Sequence, residues 1–374
     1  MINLRQTIKG FETAEARWAR LGPYYAMFPL DFAFEVVTEY SNKGDFIIDP
    51  FAGRGSSIYA GGVLGRQSLG IEINPVGWLY SSVKLRPAKK GDVLNRLEEI
   101  YSKRNYYKRL AKKMPKFFQI CYCEEVLKFL LSARKFLSWK TDTVDATLMS
   151  ILLVYLHGKL GEGLSNQMRM TKAMGINYSL NWWKKNNMTI PPRIEPLDFI
   201  KKKIEWRYKR GTPNLSTSYM VFGDSTIMLK DIVTRALENK IKFSLLFTSP
   251  PYHSVTDYHI DQWLRLWLLG GGERPKSSQE KNRGRFISKD DYYNLLDCVF
   301  GDCAAIMAEE STVYVRTDAR EFCFSTTRDV LRKHFPDHKM MVKLKPFTSR
   351  TQTEICGNTT NSTGEIDIIL RQKK

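Results

Sequence analysis

A short apolar strand, a glycine-rich turn, a helix and a second apolar strand follow one another near the start of the chain. The segment reads GDFIIDP, FAGRGSS, IYAGGVLG and QSLGIEINP over residues 44–75. This order predicts a βαβ unit, in which a helix joins two parallel strands. After residue 218 the alternation returns with SYMVFGD, IKFSLLFTSPPY and STVYVRTD, and the chain ends in a predicted hairpin of MMVKLKPF and GEIDIILRQ. The sequence therefore predicts an α/β fold, with a mainly parallel sheet that carries helices on both faces.

The segment between these two α/β parts carries nearly all of the excess charge. The 374 residues have a formal net charge of +19, and residues 84–210 alone hold 28 Lys and Arg against 11 Asp and Glu. Apolar residues at helical spacing, mixed with the basic ones, predict several helices here. We predict that residues 91–210 form a basic, mainly helical insertion in a domain made of residues 1–90 and 211–374. Basic charge concentrated in one segment favours a nucleic acid as partner.

Composition excludes several other classes of protein. With 43% hydrophobic and 12% aromatic residues the chain is typical of a globular protein. No apolar run approaches the roughly 18 residues of a membrane span, and the first residues contain no apolar signal region. The six cysteines and five histidines are scattered along the chain without the spacing of a metal site. We therefore expect a cytoplasmic protein without a metal and without a membrane partner.

The first βαβ unit has the features of a nucleotide-binding turn. Gly53 and Gly55 lie between a strand and a helix, where glycine lets the backbone approach a ligand closely. Glu72 ends the next strand, at the place where a carboxylate can accept hydrogen bonds from both hydroxyls of a ribose. A nicotinamide enzyme would use the same device. However, the third glycine of the GxGxxG pattern is missing, and the tripeptide DPF precedes the glycines instead.

Two further strands end at the same predicted edge of the sheet. Asp224 follows one of them and either contacts a ligand or caps the next helix, a role for which Ser225 competes. The other strand stops at FTSPPY, because two prolines lock the backbone and remove two donors. Ser249 Oγ and the Pro250 carbonyl could then accept both hydrogens of a planar exocyclic amine. Tyr252 could stack on the ring that bears this amine, as flipped bases are held.

The stretches LGPYYAMFP, DPFAGRGSS, GIEINP, GDS and TSPPY, in this order, resemble the motifs of S-adenosylmethionine-dependent amino-group DNA methyltransferases. These enzymes methylate cytosine N4 or adenine N6, usually as the modification part of a restriction-modification system. The resemblance covers residues 20–75 and 220–270. It implies a Rossmann-like seven-stranded methyltransferase sheet with helices on both faces and a large helical insertion.

The resemblance also implies a set of residues that bind S-adenosylmethionine. These residues are Tyr24, Phe28, Pro29, Asp49, Pro50, Phe51, Ala52, Gly53, Gly55, Ser56, Glu72, Ile73, Asp224, Ser225 and Thr248. In the family's pattern the glycine turn holds the methionine end, Glu72 the ribose and Asp224 the adenine. The motif from Tyr24 to Pro29 closes over the methionine, and Met27 stands where the family often has a lysine.

The catalytic tetrapeptide of the family corresponds to Ser249, Pro250, Pro251 and Tyr252. A serine in its first position is most typical of cytosine-N4 enzymes, so we expect cytosine N4 as the target, with adenine N6 as the alternative. The sequence contains nothing like the Pro-Cys nucleophile of carbon-5 cytosine methylases. The expected reaction is a direct in-line methyl transfer to a flipped base.

In this family a large insertion commonly recognises the target sequence. Side chains that could read base edges or neutralise phosphates are clustered in one part of the insertion. The candidates for DNA binding are Gln167, Arg169, Lys172, Trp182, Lys184 and Lys185, together with Asn166 and Trp183. The two tryptophans could instead pack between helices, and the run KKKIEWRYKR could be either a phosphate contact or a solvated helix face. The polar loop TSRTQTEICGNTTNSTG is either a DNA contact or the end of the hairpin.

The resemblance implies double-stranded DNA with a specific target sequence as the main partner, and a cognate restriction endonuclease as a further one. The chain is expected to be a monomer or a homodimer. Two other readings stay open from the sequence. One is an RNA base methyltransferase, although no known RNA-binding module is visible. The other is a nucleic-acid-binding protein on an inactive methyltransferase scaffold.

Overall fold

The computed structural model describes residues 10–23, 28–213, 215, 217–253, 258–275, 288–345 and 364–372. Tyr24, Met27 and nearly all of the polar loop predicted at 348–364 lie outside these residues. Seven strands are described. In chain order they are β1 (Phe46–Asp49), β2 (Gln67–Glu72), β3 (Tyr219–Phe222), β4 (Phe243–Thr248), β5 (Met307–Asp318), β6 (His338–Lys345) and β7 (Glu365–Gln372).

All seven strands belong to one sheet, in the order β3-β2-β1-β4-β5-β7-β6. The pairs β2–β3, β1–β2, β1–β4 and β4–β5 are parallel. Strand β7 is antiparallel to β5 and to β6, so the predicted terminal hairpin is present and closes one side of the sheet. The predicted seven-stranded, mainly parallel sheet is therefore confirmed.

The helices of the described residues fall between these strands, with a long run of them between β2 and β3. In chain order they are α1 (Ala14–Ala19), α2 (Leu30–Tyr40), α3 (Ser56–Val63), α4 (Pro75–Leu85), α5 (Lys90–Ser102), α6 (Lys108–Lys113), α7 (Lys116–Cys121), α8 (Glu124–Phe136), α9 (Thr143–Tyr155), α10 (Ile176–Lys185), α11 (Pro196–Tyr208), α12 (Ser225–Glu238), α13 (Tyr258–Asp261), α14 (Trp263–Leu268), α15 (Lys289–Ile306) and α16 (Glu321–His334), with a 3-10 turn at Lys103–Tyr107. Among these helices none combines the length and the apolarity that crossing a membrane requires.

Contacts within the chain divide it into two compact units. The α/β unit comprises Ala26–Ser81, Leu215–Asp257 and Ser278–Lys374, and it contains the whole sheet. The helical unit comprises Met1–Tyr25, Ser82–Asn214 and Tyr258–Ser277. The helical unit thus includes the basic segment predicted at 91–210, together with residues 1–25, 82–90, 211–214 and 258–277, which the sequence prediction places in the catalytic domain. The assignment of these units as functional domains stays a prediction.

Side chains that alternate along the strands pack against helices on both faces of the sheet. Ile48 and Leu246 point into a core with α12, α15 and α16, where they are fully buried. The next residue along β4, Phe247, lies on the opposite face and packs against Phe32 of α2, with ring centroids 5.7 Å apart. Helices therefore lie on both faces, as the period of two in the strands requires.

Two glycines let α3 lie unusually close to the sheet. A Cβ placed on Gly61 would be 2.0 Å from Ser68 Oγ of β2, and one on Gly62 would be 2.8 Å from Ser218 Oγ. Each glycine costs about 1 kcal/mol of helix stability relative to alanine. A larger side chain at either position would collide with the sheet side of this contact, which explains why the helix contains two glycines.

Candidate active site

The carboxyl ends of four adjacent parallel strands lie at one edge of the sheet in the α/β unit. Strand β1 ends at Asp49, β2 ends at Glu72, and β4 ends at Thr248. Strand β3 ends two residues before Asp224. Open α/β sheets bind their ligands at this edge. The structure therefore brings the cofactor and catalytic motifs of the sequence to the same side of one sheet.

The Asp49 carboxylate, at the end of β1, is bonded to three other segments of the site. It is almost completely buried and accepts hydrogen bonds from the Thr248 hydroxyl at 2.6 Å, from the Phe51 backbone N–H at 3.0 Å and from the Ser57 hydroxyl. Burial raises the pKa of Asp49 to about 6, and the three hydrogen bonds oppose that rise. Asp49 thus joins the end of β1, the glycine turn, α3 and the end of β4. Its two oxygens are already occupied by protein donors.

The turn after β1 requires glycine at two positions. Gly53 has φ of +55° and Gly55 has φ of +72°, a region that residues with a Cβ rarely adopt. A Cβ on Gly55 would also lie 2.7 Å from Ser81 Cβ. Gly55 precedes the first residue of α3, and no side chain caps this helix. The start of α3 therefore lacks a side-chain cap, and the turn before it is mostly buried.

Glu72 is a nearly buried carboxylate held by backbone donors. Its Oε1 accepts a hydrogen bond from the Asn74 N–H at 2.6 Å. Burial raises the pKa of Glu72 to about 7, and hydrogen bonds from the backbone of Asn74, Gly53 and Ile73 oppose the rise. The neighbouring Ile73 side chain is 47% exposed, which is unusual for an isoleucine next to a core strand. An ionisable carboxylate and an open apolar side chain thus lie together at the end of β2.

Asn74 is a residue of this site that the sequence reading missed. Its Oδ1 accepts a hydrogen bond from the Val76 N–H at 2.9 Å and so caps the start of α4, while its own N–H holds Glu72. The signal was present in the sequence, because Asn followed by Pro after a strand is a typical start of a helix.

Asp224 and Ser225 have separate structural roles at the end of β3. Asp224 Oδ1 accepts hydrogen bonds from the N–H of Thr226 at 3.0 Å and from its hydroxyl at 2.8 Å, so Asp224 is the N-cap of α12. The Ser225 hydroxyl instead donates to the Pro50 carbonyl. The capping role considered from the sequence is therefore observed for Asp224 and not for Ser225.

The Ser-Pro-Pro-Tyr turn follows β4 directly. Pro250 is buried and Ser249 is half-buried. Ser249 Oγ donates a long hydrogen bond of 3.5 Å to the Tyr252 hydroxyl oxygen, and the Tyr252 hydroxyl donates to Glu365 Oε1 at 3.1 Å. Burial and the neighbouring Glu365 raise the pKa of Tyr252 well above its ordinary value, so the phenol stays protonated.

Glu365 is itself held by a buried polar network on the terminal strands, which the sequence reading did not find. Arg316 Nη1 is 3.4 Å from Glu365 Oε2, and the same guanidinium makes bonds of 2.6 and 2.9 Å to the two oxygens of Asp367. The Tyr314 hydroxyl donates to Asp367 Oδ2 at 2.8 Å. Because acidic residues alternate in GEIDIILRQ, residues 365 and 367 share one face of β7. That alternation was the only signal for the network.

The N-terminal motif contacts the glycine turn through Phe28. The Phe28 ring stacks on Phe247 with centroids 4.7 Å apart and planes 8° from parallel. The Phe28 carbonyl accepts a hydrogen bond from Ser56 Oγ at 3.3 Å. Pro29 is exposed and precedes the first residue of α2. These two predicted residues therefore lie beside the turn, while Tyr24 is outside the described residues.

In the helical unit, several candidate DNA-binding residues have structural partners. Gln167 Oε1 accepts a hydrogen bond from the Leu160 N–H at 2.7 Å. Lys172 Nζ is 2.6 Å from Asp261 Oδ1. Asn166 is buried and its side-chain amide donates to two backbone carbonyls. Trp183 is buried, and its indole N–H donates to the Gln167 carbonyl at 2.8 Å. Trp183 therefore packs between helices, the alternative to DNA contact that the sequence leaves open.

The remaining candidates are open to solvent. Arg169, Lys184 and Lys185 are exposed, and Trp182 is half-buried. Lys184 and Lys185 lie in the last turn of α10. These four side chains are available for a contact with DNA, and no contact of the described residues assigns them another role.

The sequence of the cofactor half matches a known protein family. Residues 6–76 match the family described as DNA methylase. This match covers the motif around Phe28, the glycine turn and the strand that ends in Glu72. The match ends before the helical segment and the Ser-Pro-Pro-Tyr turn.

Two curated relatives extend the comparison. The Type II methyltransferase M.AvaI of Nostoc sp. is 26% identical over 279 residues, which are 69% of this chain and 54% of that protein. The chain therefore spans about half the length of this relative. The Type II methyltransferase M.MthZI of Methanothermobacter thermautotrophicus is 37% identical over 49 residues, which are 13% of this chain and 14% of that protein.

Among solved structures, TrmN from Thermus thermophilus covers 96% of this chain and 52% of its own chain, with 7% sequence identity and a TM-score of 0.35. A likeness of this size has no bearing on function. The sequence matches and the order of the motifs agree with each other, and the cofactor of the family they indicate is S-adenosylmethionine. The chain is thus a sequence relative of the S-adenosylmethionine-dependent amino-group DNA methyltransferases of the restriction-modification type.

Proposed function

We propose that the protein is a site-specific DNA methyltransferase that transfers a methyl group from S-adenosylmethionine to the exocyclic amine of a flipped base, with cytosine N4 as the preferred target. One observation carries the proposal. The Ser-Pro-Pro-Tyr turn follows β4 at the same edge of the sheet where β1 ends at Asp49 and β2 ends at Glu72. An acceptor for an amine and a site for a nucleoside cofactor therefore lie on adjacent strands.

The described residues fit the cofactor. Glu72 is a buried carboxylate that can accept hydrogen bonds from two ribose hydroxyls, and the exposed Ile73 beside it offers an apolar surface for the adenine. Gly53 and Gly55 add no side chains of their own to the turn after β1, where the methionine end would lie. When bound, S-adenosylmethionine supplies an electrophilic methyl group on a sulfonium.

The Ser-Pro-Pro-Tyr turn is suited to accept the hydrogens of an amine. The hydrogen of the Ser249 hydroxyl is directed at Tyr252, so the lone pairs of Ser249 Oγ remain as acceptors. Pro250 and Pro251 have no N–H, so the turn offers carbonyl oxygens without competing donors. Two acceptors on one amine increase the electron density on its nitrogen. The amine nitrogen can then attack the methyl group in line, as the bond between the methyl group and sulfur breaks and the nitrogen releases one proton to solvent.

Tyr252 would hold the base that carries this amine. Its hydroxyl donates to Glu365, which holds the ring at one end, and the ring would stack on the base. The exposed side chains of the helical unit, Arg169, Lys184 and Lys185, would contact DNA. As part of this proposal, residues 91–210 recognise the target sequence in double-stranded DNA. The protein would act in the cytoplasm, beside a cognate restriction endonuclease.

The test is a methyl-transfer assay with the purified protein, S-adenosylmethionine labelled in its methyl group, and mixed duplex DNA and RNA. The nucleosides are then separated and identified by mass spectrometry. We expect the label in N4-methylcytosine. Label in N6-methyladenine would keep the mechanism and change the base, and label only in RNA would refute the proposed substrate.

Two variants test the roles within the turn. Ser249→Ala and Tyr252→Ala should lower turnover strongly and leave the affinity for the cofactor nearly unchanged, because both side chains face the amine and not the cofactor. Removal of one such acceptor or donor typically costs about 10²–10³ in rate. If Ser249→Ala methylates DNA at the rate of the wild type, the account of this turn is wrong.

A further inference from the structure

Helix α11 presents aromatic and basic side chains on one face, away from the core of the helical unit. Phe199, Lys202, Lys203 and Trp206 follow one another at helical spacing and, with Tyr155 of α9, line a cavity of ≈ 470 Å³. This volume lies within the roughly 300–1,000 Å³ that is usual for ligand sites. The opposite face of the helix is buried and is formed by Ile200, Ile204, Arg207 and Tyr208. The lined cavity is called the aromatic–lysine cleft below.

Lys203 is the central residue of the cleft. Its Nζ lies 4.9 Å from the ring centroid of Tyr155 and 4.9 Å from that of Phe199. The side chain is half-buried, and burial lowers the pKa of Lys203, with Glu162 acting weakly in the opposite direction. Within the described parts of the chain no carboxylate forms an ion pair with it. A partly desolvated ammonium in this position would be stabilised by an anion.

The other members of the cleft suit a ligand that is both anionic and flat. Lys202 is exposed one residue before Lys203. Trp206 lies one turn further along the same face, where its half-buried ring contacts Phe11 and the Arg17 guanidinium. Ammonium groups bind phosphate oxygens, and aromatic rings pack against sugars and bases. The helical unit also contains the segment that holds a net charge of +17 between residues 84 and 210. This surplus of positive charge favours a polyanion as partner.

We propose that the aromatic–lysine cleft is a nucleotide-binding contact of the helical unit. In it Lys202 and Lys203 bind a phosphate of the DNA backbone, and Phe199 packs against the attached sugar or base. Lys202, Lys203 and Trp206 belong to the run KKKIEWRYKR, which the sequence leaves open as a phosphate contact or a solvated helix face, and the cleft favours the phosphate contact. None of the DNA-binding candidates between residues 166 and 185 lies in the cleft. The contact rests on the proposed function, since that function supplies DNA as the partner. A phosphate contact positions the protein on DNA and strengthens binding to any sequence.

The experiment measures binding of the full chain to a fluorescent duplex DNA by anisotropy at several salt concentrations. The wild type is compared with the double variant Lys202→Ala/Lys203→Ala and with a matched control, Lys112→Ala/Lys113→Ala. The control removes two exposed lysines from α6, outside the cleft. Each phosphate contact contributes about 0.9 to the slope of log K against log salt. We expect the cleft variant to bind more weakly and to lose about one unit of slope.

A further variant and a stability measurement distinguish the loss of charge from a loss of folding. Lys203→Arg keeps the cation and should keep the slope of the wild type, and thermal unfolding checks that each variant is folded. If the cleft variant keeps the slope of the wild type, or if the control loses as much slope as the cleft variant, the cleft is not a phosphate contact. If the wild type itself fails to bind duplex DNA, the proposed function fails first. The two failures are therefore distinguishable.

Discussion

The buried carboxylate of Glu72 allows the proposed cofactor site to be tested through pH. Burial raises the pKa of Glu72 to about 7, so the group changes charge within the range in which the protein can be handled. The ionised carboxylate offers a strong acceptor oxygen to each ribose hydroxyl, whereas one oxygen of a protonated carboxyl carries a hydrogen and accepts poorly. The affinity for S-adenosylmethionine should therefore fall as the pH falls through 7.

The size of the effect follows from the ionised fraction. With a pKa of about 7, roughly nine-tenths of the carboxyl groups are ionised at pH 8 and roughly one-tenth at pH 6. The dissociation constant should then be about tenfold larger at pH 6 than at pH 8, or about 1.4 kcal/mol of binding free energy. The stability of the ligand-free protein should have the opposite pH dependence and decrease as the pH rises. Because the folded protein binds this proton more tightly than the unfolded chain does, its free energy of unfolding falls as pH rises from about 4.5 to 7.

Isothermal titration calorimetry with S-adenosylmethionine at pH 6, 7 and 8, at constant salt, measures the affinity. Glu72→Gln is the matched control, since glutamine has a similar shape, keeps one acceptor and cannot ionise. The variant should bind more weakly at pH 8 and lose most of the pH dependence. Any titration of the ligand itself appears equally in the variant, so the difference between the two proteins isolates Glu72. Asp49, whose pKa is raised to about 6, is present in both proteins, so its titration does not enter their difference.

The reasoning is refuted if the wild type and Glu72→Gln show the same pH dependence. In that case the carboxylate is not a partner of the ribose, and its burial serves only the fold. A wild-type affinity that rises at acid pH would refute it as well, because the sign of the coupling would be reversed.

Two further changes test the packing around the site. Thr248→Val removes the hydroxyl that donates to Asp49 at 2.6 Å, so the variant should be less stable by about 1–3 kcal/mol in urea unfolding; a loss under about 0.5 kcal/mol would contradict the role assigned to this bond. Gly61→Ala should also destabilise the protein, because its Cβ would lie 2.0 Å from Ser68 Oγ. The control is Gly91→Ala in α5, where a Cβ would meet no atom within 4 Å, and this variant should be neutral or more stable. If thermal unfolding shows the same loss of stability for Gly61→Ala and Gly91→Ala, the helix α3 has room for a side chain.

Much of the sheet was predictable because its strands are short apolar runs that end in turn residues. FIID, FSLLFT and the terminal pair were each recognisable by this pattern, and the structure has them as β1, β4, β6 and β7. The sequence predicts that the segment between β2 and β3 is helical, but it does not predict where one helix ends and the next begins. The run VLNRLEEIYSKRNYYKRLAKKM, with helical spacing throughout, becomes α5, a 3-10 turn and α6. Spacing alone does not show where a helix must bend to follow its neighbours.

The site was predictable only where its residues belong to local motifs. Asp49 and Glu72 were identifiable because each ends a strand beside a recognisable turn. Their hydrogen bonds were not, because the donor to Asp49 on β4 is Thr248, which is 199 positions away in the chain. The raised pKa values of both carboxylates likewise come from burial in the folded protein. No property of the neighbouring sequence indicates them.

Glu365 shows most clearly what the sequence lacks. It lies 113 positions from Tyr252 and outside every motif of the catalytic half, yet it accepts the hydrogen bond that fixes the Tyr252 hydroxyl. The antiparallel pairing of β7 with β5 places Glu365 opposite Asp318 and Asp367 opposite Arg316. Arg316 can therefore hold Asp367 and Glu365 at once. The orientation of the residue that would hold the base thus depends on the register of the terminal strands. A change in that register would alter the site without changing any residue of the Ser-Pro-Pro-Tyr turn.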